Sequence, residues 1–219
     1  MKLRSRSIFN ILTMMALLVM LFGLLPPSPV QANEFGSPLP AGGDFLFANR
    51  VGGAGTDRGL SIAVDSSNNI YTTGSFEGTV DFDPGVGVTN LTSVGISGLF
   101  ISKSDSNGNF LWAKSTGGVG QSIVIDSNGN IYVTGYFSGT VDFNPGVGVS
   151  NLTSASADND VVVLKLDNSG NFVWAKSMGG VSGDVGEEIA LDSNGNVYTI
   201  GFFAETADFD PGAGTFNLN

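Results

Sequence analysis

Short runs of alternating or β-branched residues, separated by turn residues, fill the chain after its first 32 residues. In the central part they are residues 122–126 (SIVID), 131–137 (IYVTGYF), 161–167 (VVVLKLD) and 172–177 (FVWAKS). Alternation with a period of two is typical of half-buried β-strands. No helical periodicity follows the leader, and the 32 glycines disfavour helices. The pattern predicts an all-β protein.

The same pattern occurs three times. Related segments begin at Phe45, Phe110 and Phe172, and the last copy ends before its third and fourth runs. A fixed period of this size indicates an array of supersecondary units that bury their apolar faces against one another. Four short strands in about 62 positions correspond to one blade of a β-propeller. We predict four-stranded antiparallel blades in an incomplete, open array. The predicted units cover residues 44–109, 110–171 and 172–219, the last of them incomplete.

The first 32 residues have the features of a secretory signal. Three basic residues precede an apolar run over 8–25, prolines follow, and the segment ends at Ala32 after small residues. We therefore predict a signal peptide over 1–32, a linker over 33–43 and a secreted or cell-surface protein. The alternative is an uncleaved membrane anchor, since a span needs about 20 apolar residues.

Charge and composition exclude several function classes. The chain has a net charge of −11, and without the leader it keeps 20 acidic and six basic residues, a net charge of −14. Such a surface repels nucleic acid and anionic lipid, so neither is expected as a partner after signal cleavage. The chain has no cysteine, hence no disulfides, and no histidine, hence no Ser-His-Asp triad and no histidine-ligated zinc. Carboxylate chemistry, as in glycosidases, or no catalysis is left.

Five turns share one sequence pattern, in which an aspartate is followed after two residues by Asn-Gly, Ser-Gly or a substitute. They are 65–69 (DSSNN), 105–109 (DSNGN), 126–130 (DSNGN), 167–171 (DNSGN) and 192–196 (DSNGN). Glycine supplies the positive φ of a tight hairpin, and the leading aspartate can accept hydrogen bonds from the turn's amides. A calcium loop is the alternative, but the downstream bidentate glutamate of such loops is missing. The pattern favours structural turns.

Large aromatic residues recur at fixed positions of the copies. Trp112 and Trp174 follow one another at the spacing of the repeat, with Phe47 as their counterpart. A second set, after a glycine, is Phe76, Phe137 and Phe203. Recurrence at equivalent positions indicates packing between neighbouring sheets, since an indole buries about 150–250 Å². The alternative for the tryptophans is a platform on which sugars stack.

Each copy also contains the segment TVDFDPG, TVDFNPG or TADFDPG. Its Pro-Gly step fits a type II turn, which predicts an extra hairpin on the rim of the blade. Paired oxygen side chains two residues apart also form a calcium-ligand pattern. These weak Ca²⁺ candidates are Asp81, Asp83, Asp142, Asn144, Asp208 and Asp210. Calcium is the only cofactor suggested by the sequence, and the asparagine lowers the charge of the middle copy.

The string DSNGNIYVTGYF, preceded by WAKS and Gly-Gly, resembles the bacterial β-propeller repeat family SBBP. The resemblance extends from about Asp44 to Asn219, although copy one has Asn68-Asn69 where Gly-Asn is typical. Copy two is about four residues shorter between Gly118 and Ser122. The resemblance implies secreted or surface proteins with repeated blades, and it brings no catalytic residues.

These observations predict a secreted, non-enzymatic β-propeller repeat protein that acts as an interaction module for an unknown protein or glycan. The alternatives are a carbohydrate-active enzyme with paired carboxylates and a Ca²⁺-binding repeat scaffold. Only Glu187-Glu188 breaks the similarity of the copies, and we expect both glutamates to be solvated. Closed propellers have about four to eight blades. We therefore expect a fragment of a longer protein or copies that assemble into a ring, with self-association through the incomplete last repeat.

Overall fold

The structure, a computed structural model, describes residues 45–219. The predicted signal peptide and linker lie outside the described residues, so both remain predictions. Residues 45–219 contain strands and turns but no helix, and none of this part of the chain could therefore cross a membrane as a helix. The expectation of an all-β protein is confirmed.

Sixteen strands lie between residues 45 and 219, and they follow the predicted runs closely. In chain order they are β1 (Arg58–Val64), β2 (Ile70–Phe76), β3 (Thr79–Asp81), β4 (Asn90–Thr92), β5 (Gly98–Ser104), β6 (Phe110–Gly117), β7 (Val119–Ile125), β8 (Ile131–Phe137), β9 (Thr140–Asp142), β10 (Asn151–Thr153), β11 (Asp160–Leu166), β12 (Phe172–Gly180), β13 (Val185–Leu191), β14 (Val197–Phe202), β15 (Ala207–Asp208) and β16 (Asn217–Leu218).

The long strands form successive antiparallel sheets. The first has the order β1-β2-β5-β6, the second contains β7-β8-β11-β12, and the third is the pair β13-β14. The strands β3 and β4, and likewise β9 and β10, form the predicted rim hairpins. Each complete sheet takes its fourth strand from the start of the next sequence copy, because β6 begins at Phe110 and β12 at Phe172. The array is that of open β-propeller-type repeats.

Two details differ from the prediction. The second sheet has six strands instead of four, because β12 continues to Gly180 and its last two residues pair with β15, which pairs with β16. The segment from Phe45 to Arg50 matches residues 110–115 and 172–177 of the later copies, which predicts a strand with the same role, but it is not a strand. Its Asn49 nevertheless donates a hydrogen bond of 2.7 Å to the carbonyl of Gly108, so the segment is held against the hairpin of the first sheet.

The five aspartate turns have the predicted geometry. In the turn at Asp126, one carboxylate oxygen accepts hydrogen bonds from the amides of Asn128 and Asn130, and the other accepts one from the Asn130 side chain. Gly129 has a φ of 80°, and in the degenerate first turn Asn68 adopts the same region with a φ of 61°. The carboxylates are thus engaged by their own turns, as expected for structural hairpins.

Hydrogen bonds in these turns also stabilise the charged form of the aspartates. At the exposed turns, the side chain and then the backbone amide of Asn109 lower the pKa of Asp105, and Asn196 lowers that of Asp192 in the same way. A carboxylate that accepts several hydrogen bonds binds a proton less readily. The turns therefore hold ionised aspartates under all but strongly acidic conditions.

The main core lies between the first and second sheets. The first sheet contributes Tyr71, Leu99 and Ile101, which pack against residues of β7, β8 and β11 such as Ile123 and Ile131. A smaller cluster joins the second sheet to the third, where Tyr132 contacts Ile189. At each interface, the face of one sheet that carries the tyrosine packs against the face of the next sheet that carries the isoleucine.

The tryptophans are half-buried at these interfaces. Trp112 lies edge-to-face with Tyr71 at a centroid distance of 6.2 Å, and its ring also approaches Gly170 in the hairpin of the second sheet. Trp174 makes the same contact with Tyr132, also at 6.2 Å. The packing role is confirmed for Trp112, although its burial is partial. Because the third sheet is a two-stranded pair, it has no hairpin equivalent to the one at Gly170.

Candidate interaction site

The third sheet presents an open strand edge. In the first two sheets the second strand lies between two partners, since β2 pairs with β1 and β5, and β8 pairs with β7 and β11. In the part of the chain that the structure describes, the equivalent strand β14 pairs with β13 only. The other side of β14, here called the open edge, presents backbone donors and acceptors without a strand partner. Such an edge is a template for a further strand.

The same strand exposes large apolar side chains. Tyr198 is 57% exposed and Ile200 is 68% exposed, whereas the equivalent Tyr71 and Tyr132 are buried. An apolar cavity at the open edge is lined by Val161, Met178 and Phe203, among others. The last copy lacks its third and fourth runs, which predicts that Tyr198, Ile200 and Phe202 or Phe203 lose part of their cover, and their exposure confirms this prediction. Contiguous exposed apolar surface of this kind marks interaction sites.

The two complete sheets show what a strand at this edge would contribute. In register, Tyr71 pairs with Lys103, and Tyr132 pairs with Lys165. Each lysine nitrogen lies over the tyrosine ring, 4.8 Å and 4.7 Å from the centroid. This is the geometry of a cation–π contact. Tyr198 is the third member of the tyrosine series, and its strand lacks the neighbour that would carry the lysine.

The six calcium candidates hold the rim hairpins together. The leading aspartates accept two backbone amides through one oxygen: Asp81 from residues 83 and 89, and Asp142 from residues 144 and 150. Asp208 has the same two bonds. The second members, Asp83, Asn144 and Asp210, each accept the amide of the glycine two residues later. Within residues 45–219 no group of three or more acidic side chains converges on one point, and the calcium site stays a prediction.

Carboxylate pairs that would serve a glycosidase were a further candidate. Glu187 and Glu188 are both exposed on β13, as expected. A polar cleft between the turns of the first two sheets is lined by Asp65, Lys103 and Asn128. Asp65 is the only acidic residue in its lining, and it already accepts hydrogen bonds from its own turn and from the Tyr71 hydroxyl. The cleft therefore lacks the two carboxylates of an acid–base pair.

A close pair of buried carboxyls lies instead where the second sheet meets the third. Asp184 is buried and accepts hydrogen bonds from the amides of Gly180, at 2.7 Å, and Ala204, at 3.1 Å. Asp160 is 4% exposed, and its Oδ1 atom is buried without a hydrogen-bond partner. Both carboxyls lie within 2.8 Å of the point that a β-carbon on Gly179 would occupy. Only glycine leaves room for them.

This pair predicts a pH-dependent stability. Burial raises the pKa of Asp160 above its ordinary 3.8; the amide of Ala155 opposes this, and the Asp184 carboxylate adds to it. The folded protein thus keeps a proton that the unfolded chain loses, and stability falls as pH rises from about 4 through the raised pKa. We expect Asp160→Asn to remove this fall. Urea unfolding from about pH 4 to pH 8 measures it, and an unchanged slope in the variant would contradict the assignment.

Sequence reasoning identified part of this site. It singled out Tyr198, Ile200 and Phe202 or Phe203 as residues that lose part of their cover. It missed Asp160 and Asp184, which are 24 positions apart and meet only through the packing of two sheets. It also missed the exposed side chains of the first sheet, Ile62 and Val64, which are 66% and 58% exposed. An alignment of the copies would have found them, since they correspond to interface residues of the second copy.

Comparison with known proteins agrees with this architecture. The family model "Beta-propeller repeat", SBBP, matches residues 47–75 and 116–139. An uncharacterized WD repeat-containing protein of Acanthamoeba polyphaga mimivirus is 28% identical over a match that covers 78% of this chain and 14% of the relative. The regulatory protein FlaEY of Caulobacter vibrioides is 32% identical, with 78% of this chain and 19% of the relative covered. The chain thus spans less than a fifth of the length of these curated relatives.

Fold and comparisons together define the class: an all-β protein built of open β-propeller-type repeats. The SBBP model matches segments of the first and second copies, which confirms the resemblance at these two copies.

Proposed function

We propose that this protein is a secreted, non-enzymatic scaffold that binds other proteins by strand addition at the open edge of β14. The observation that carries the proposal is the contrast between β14 and its two equivalents. Strands β2 and β8 each accept a third strand over seven residue pairs, and β14 has the same backbone geometry with that side open. Strand addition supplies affinity through main-chain hydrogen bonds and specificity through alternate side chains.

Secretion and the lack of catalysis are parts of the same proposal. They are supported by the basic and apolar leader, the net charge of −14 that follows its removal and the absence of histidine and cysteine. The aspartates of the turns and rims accept hydrogen bonds from their own backbone, which gives them structural roles. Within residues 45–219, no comparable surface supports a glycan or calcium ligand, which are the alternatives from the sequence.

Strand addition is tested with a peptide of residues 160–178, the sequence of β11 and β12. Fluorescence anisotropy of the labelled peptide should show saturable binding to the protein, because the peptide carries the side chains that β8 accepts. A peptide with Lys165→Gln should bind about two- to fivefold more weakly, as expected for loss of an exposed cation–π contact with Tyr198. A scrambled peptide is the control. Equal behaviour of the scrambled and native peptides would refute strand addition.

A further inference from the structure

The three sheets pack on one another through their faces, and the same two kinds of face meet at each interface. Each sheet has a back face, which carries the tyrosine of its second strand, and a front face, which carries an isoleucine of its first strand. Tyr71 of the first sheet packs against the second sheet's front face, which includes Ile123. Tyr132 of the second sheet packs against Ile189 of the third. The contact is always between a back face and the next front face.

Each of the two interfaces also contains a polar contact, and the two contacts join different positions of the repeat. The amide of Ile123 donates to the Ser61 hydroxyl of the first sheet at 3.3 Å. At the next interface the hydroxyls of Thr134 and Thr199 are 3.2 Å apart. Glycines permit the close approach, since a β-carbon on Gly120 would collide with Thr73 and one on Gly186 with Thr134. The two interfaces are therefore alike in their apolar contacts and in the glycine that faces a threonine.

Among the three sheets of residues 45–219, one front face and one back face are exposed. The front face of the first sheet exposes Ile62 and Val64, the counterparts of the interface residues Ile123 and Ile125. The back face of the third sheet exposes Tyr198 and Ile200. Gly59, the counterpart of Gly120 and Gly186, has open space around it. These two surfaces are the complementary halves of the contact that the chain makes twice within itself.

We infer that a second copy of this chain covers the exposed back face, with the front face of its first sheet packed head-to-tail on the third sheet of its neighbour. Tyr198 then contacts Ile62 of the next copy, as Tyr71 contacts Ile123, and Ile200 lies against Gly59. Glu188, exposed beside Ile200, adds a negative charge to the back face. This contact adds a second copy of the chain as a partner to the proposed scaffold function. It involves the back face of β14, whereas strand addition involves the open edge.

This contact is heterologous, because it joins two different surfaces. Head-to-tail contacts form closed rings when the rotation per subunit closes and open chains when it does not. The protein therefore has one donor surface and one acceptor surface per copy. Disabling either surface should leave a chain that can still bind one neighbour of the complementary kind.

The test uses two variants, Ile62→Glu and Ile200→Glu, each with one disabled surface. Sedimentation velocity should show that the wild type associates with rising concentration, and that each variant alone associates at least tenfold more weakly. A mixture of the two should form a one-to-one dimer that grows no further, since the only intact front face meets the only intact back face. All proteins are prepared in the same form, so that residues 1–44 contribute equally.

Val147→Glu is the matched control, because Val147 is a fully exposed apolar residue of the rim loop that lies on neither face. It should associate like the wild type, and thermal unfolding should show that all variants fold. A variant that still associates alone as strongly as the wild type would overturn the inference, and so would a mixture that stays monomeric. Wild-type protein that is monomeric throughout would also overturn it, yet would leave strand addition intact if the peptide of residues 160–178 binds.

Discussion

Phe137→Ala should lower the free energy of unfolding by about 3–5 kcal/mol, the range found for large aromatic truncations in a core. Phe137 is 1% exposed in the main cluster, and its ring lies edge-to-face with Phe143 at 5.1 Å. Truncation removes both this contact and the apolar surface that the ring buries between the second strand and the rim hairpin. Urea unfolding of the variant and the wild type measures the difference.

The third copy provides a matched control. Phe203 occupies the same position and makes the same contact with Phe209, also at 5.1 Å, but it is 38% exposed. Phe203→Ala should therefore lower the free energy of unfolding by no more than about half as much, since part of the ring is already in water. Equal losses at the two positions would mean that Phe203 is covered in solution.

Asp184→Ala should destabilise the protein by about 2–4 kcal/mol, because loss of the acceptor of a buried amide donor costs about 1–3 kcal/mol and that of a half-buried donor costs less. The buried donor is the amide of Gly180, at the end of β12, and the half-buried donor is the amide of Ala204, which follows β14. The effect is measured as a shift in the midpoint and free energy of urea unfolding.

The first copy again supplies the control. Asp57 accepts the equivalent amides of Gly53, at 2.6 Å, and Glu77, at 3.3 Å, but its surroundings are more exposed. Water can replace the acceptor there, so Asp57→Ala should cost a small fraction of the loss at Asp184. If Asp57→Ala lowers the free energy of unfolding as much as Asp184→Ala does, the loss does not depend on the burial of the aspartate.

The turns and strands were predictable because their causes are local. A leading aspartate, an Asn-Gly or Ser-Gly step and an alternating run lie within a dozen residues of one another, and each imposes its conformation through its own backbone. The rim hairpins were predictable for the same reason, from a Pro-Gly step between short runs. The one strand predicted wrongly, from Phe45 to Arg50, has the right residues but has no neighbouring strand with which to pair.

The candidate site was predictable only in part. The exposure of Tyr198 and Ile200 follows from where the third copy stops, and the exposed glutamates of β13 were expected. The Asp160–Asp184 pair depends on which loops two neighbouring sheets bring together, and no spacing in the sequence reports that. The same holds for Ile62, which looks like any inward-facing residue of a strand until the direction in which the sheets stack is known.

By itself, the sequence determined the all-β class, the repeat, the turns and the lack of histidine and cysteine chemistry, since these follow from residue type and short-range spacing. The tertiary structure decided that the second sheet extends beyond its four predicted runs, because the end of β12 pairs with β15. It also decided which faces are covered and which stay open. Those properties depend on side chains from distant parts of the chain meeting across an interface, where the close fit of tyrosine, isoleucine and glycine sets the order of stacking.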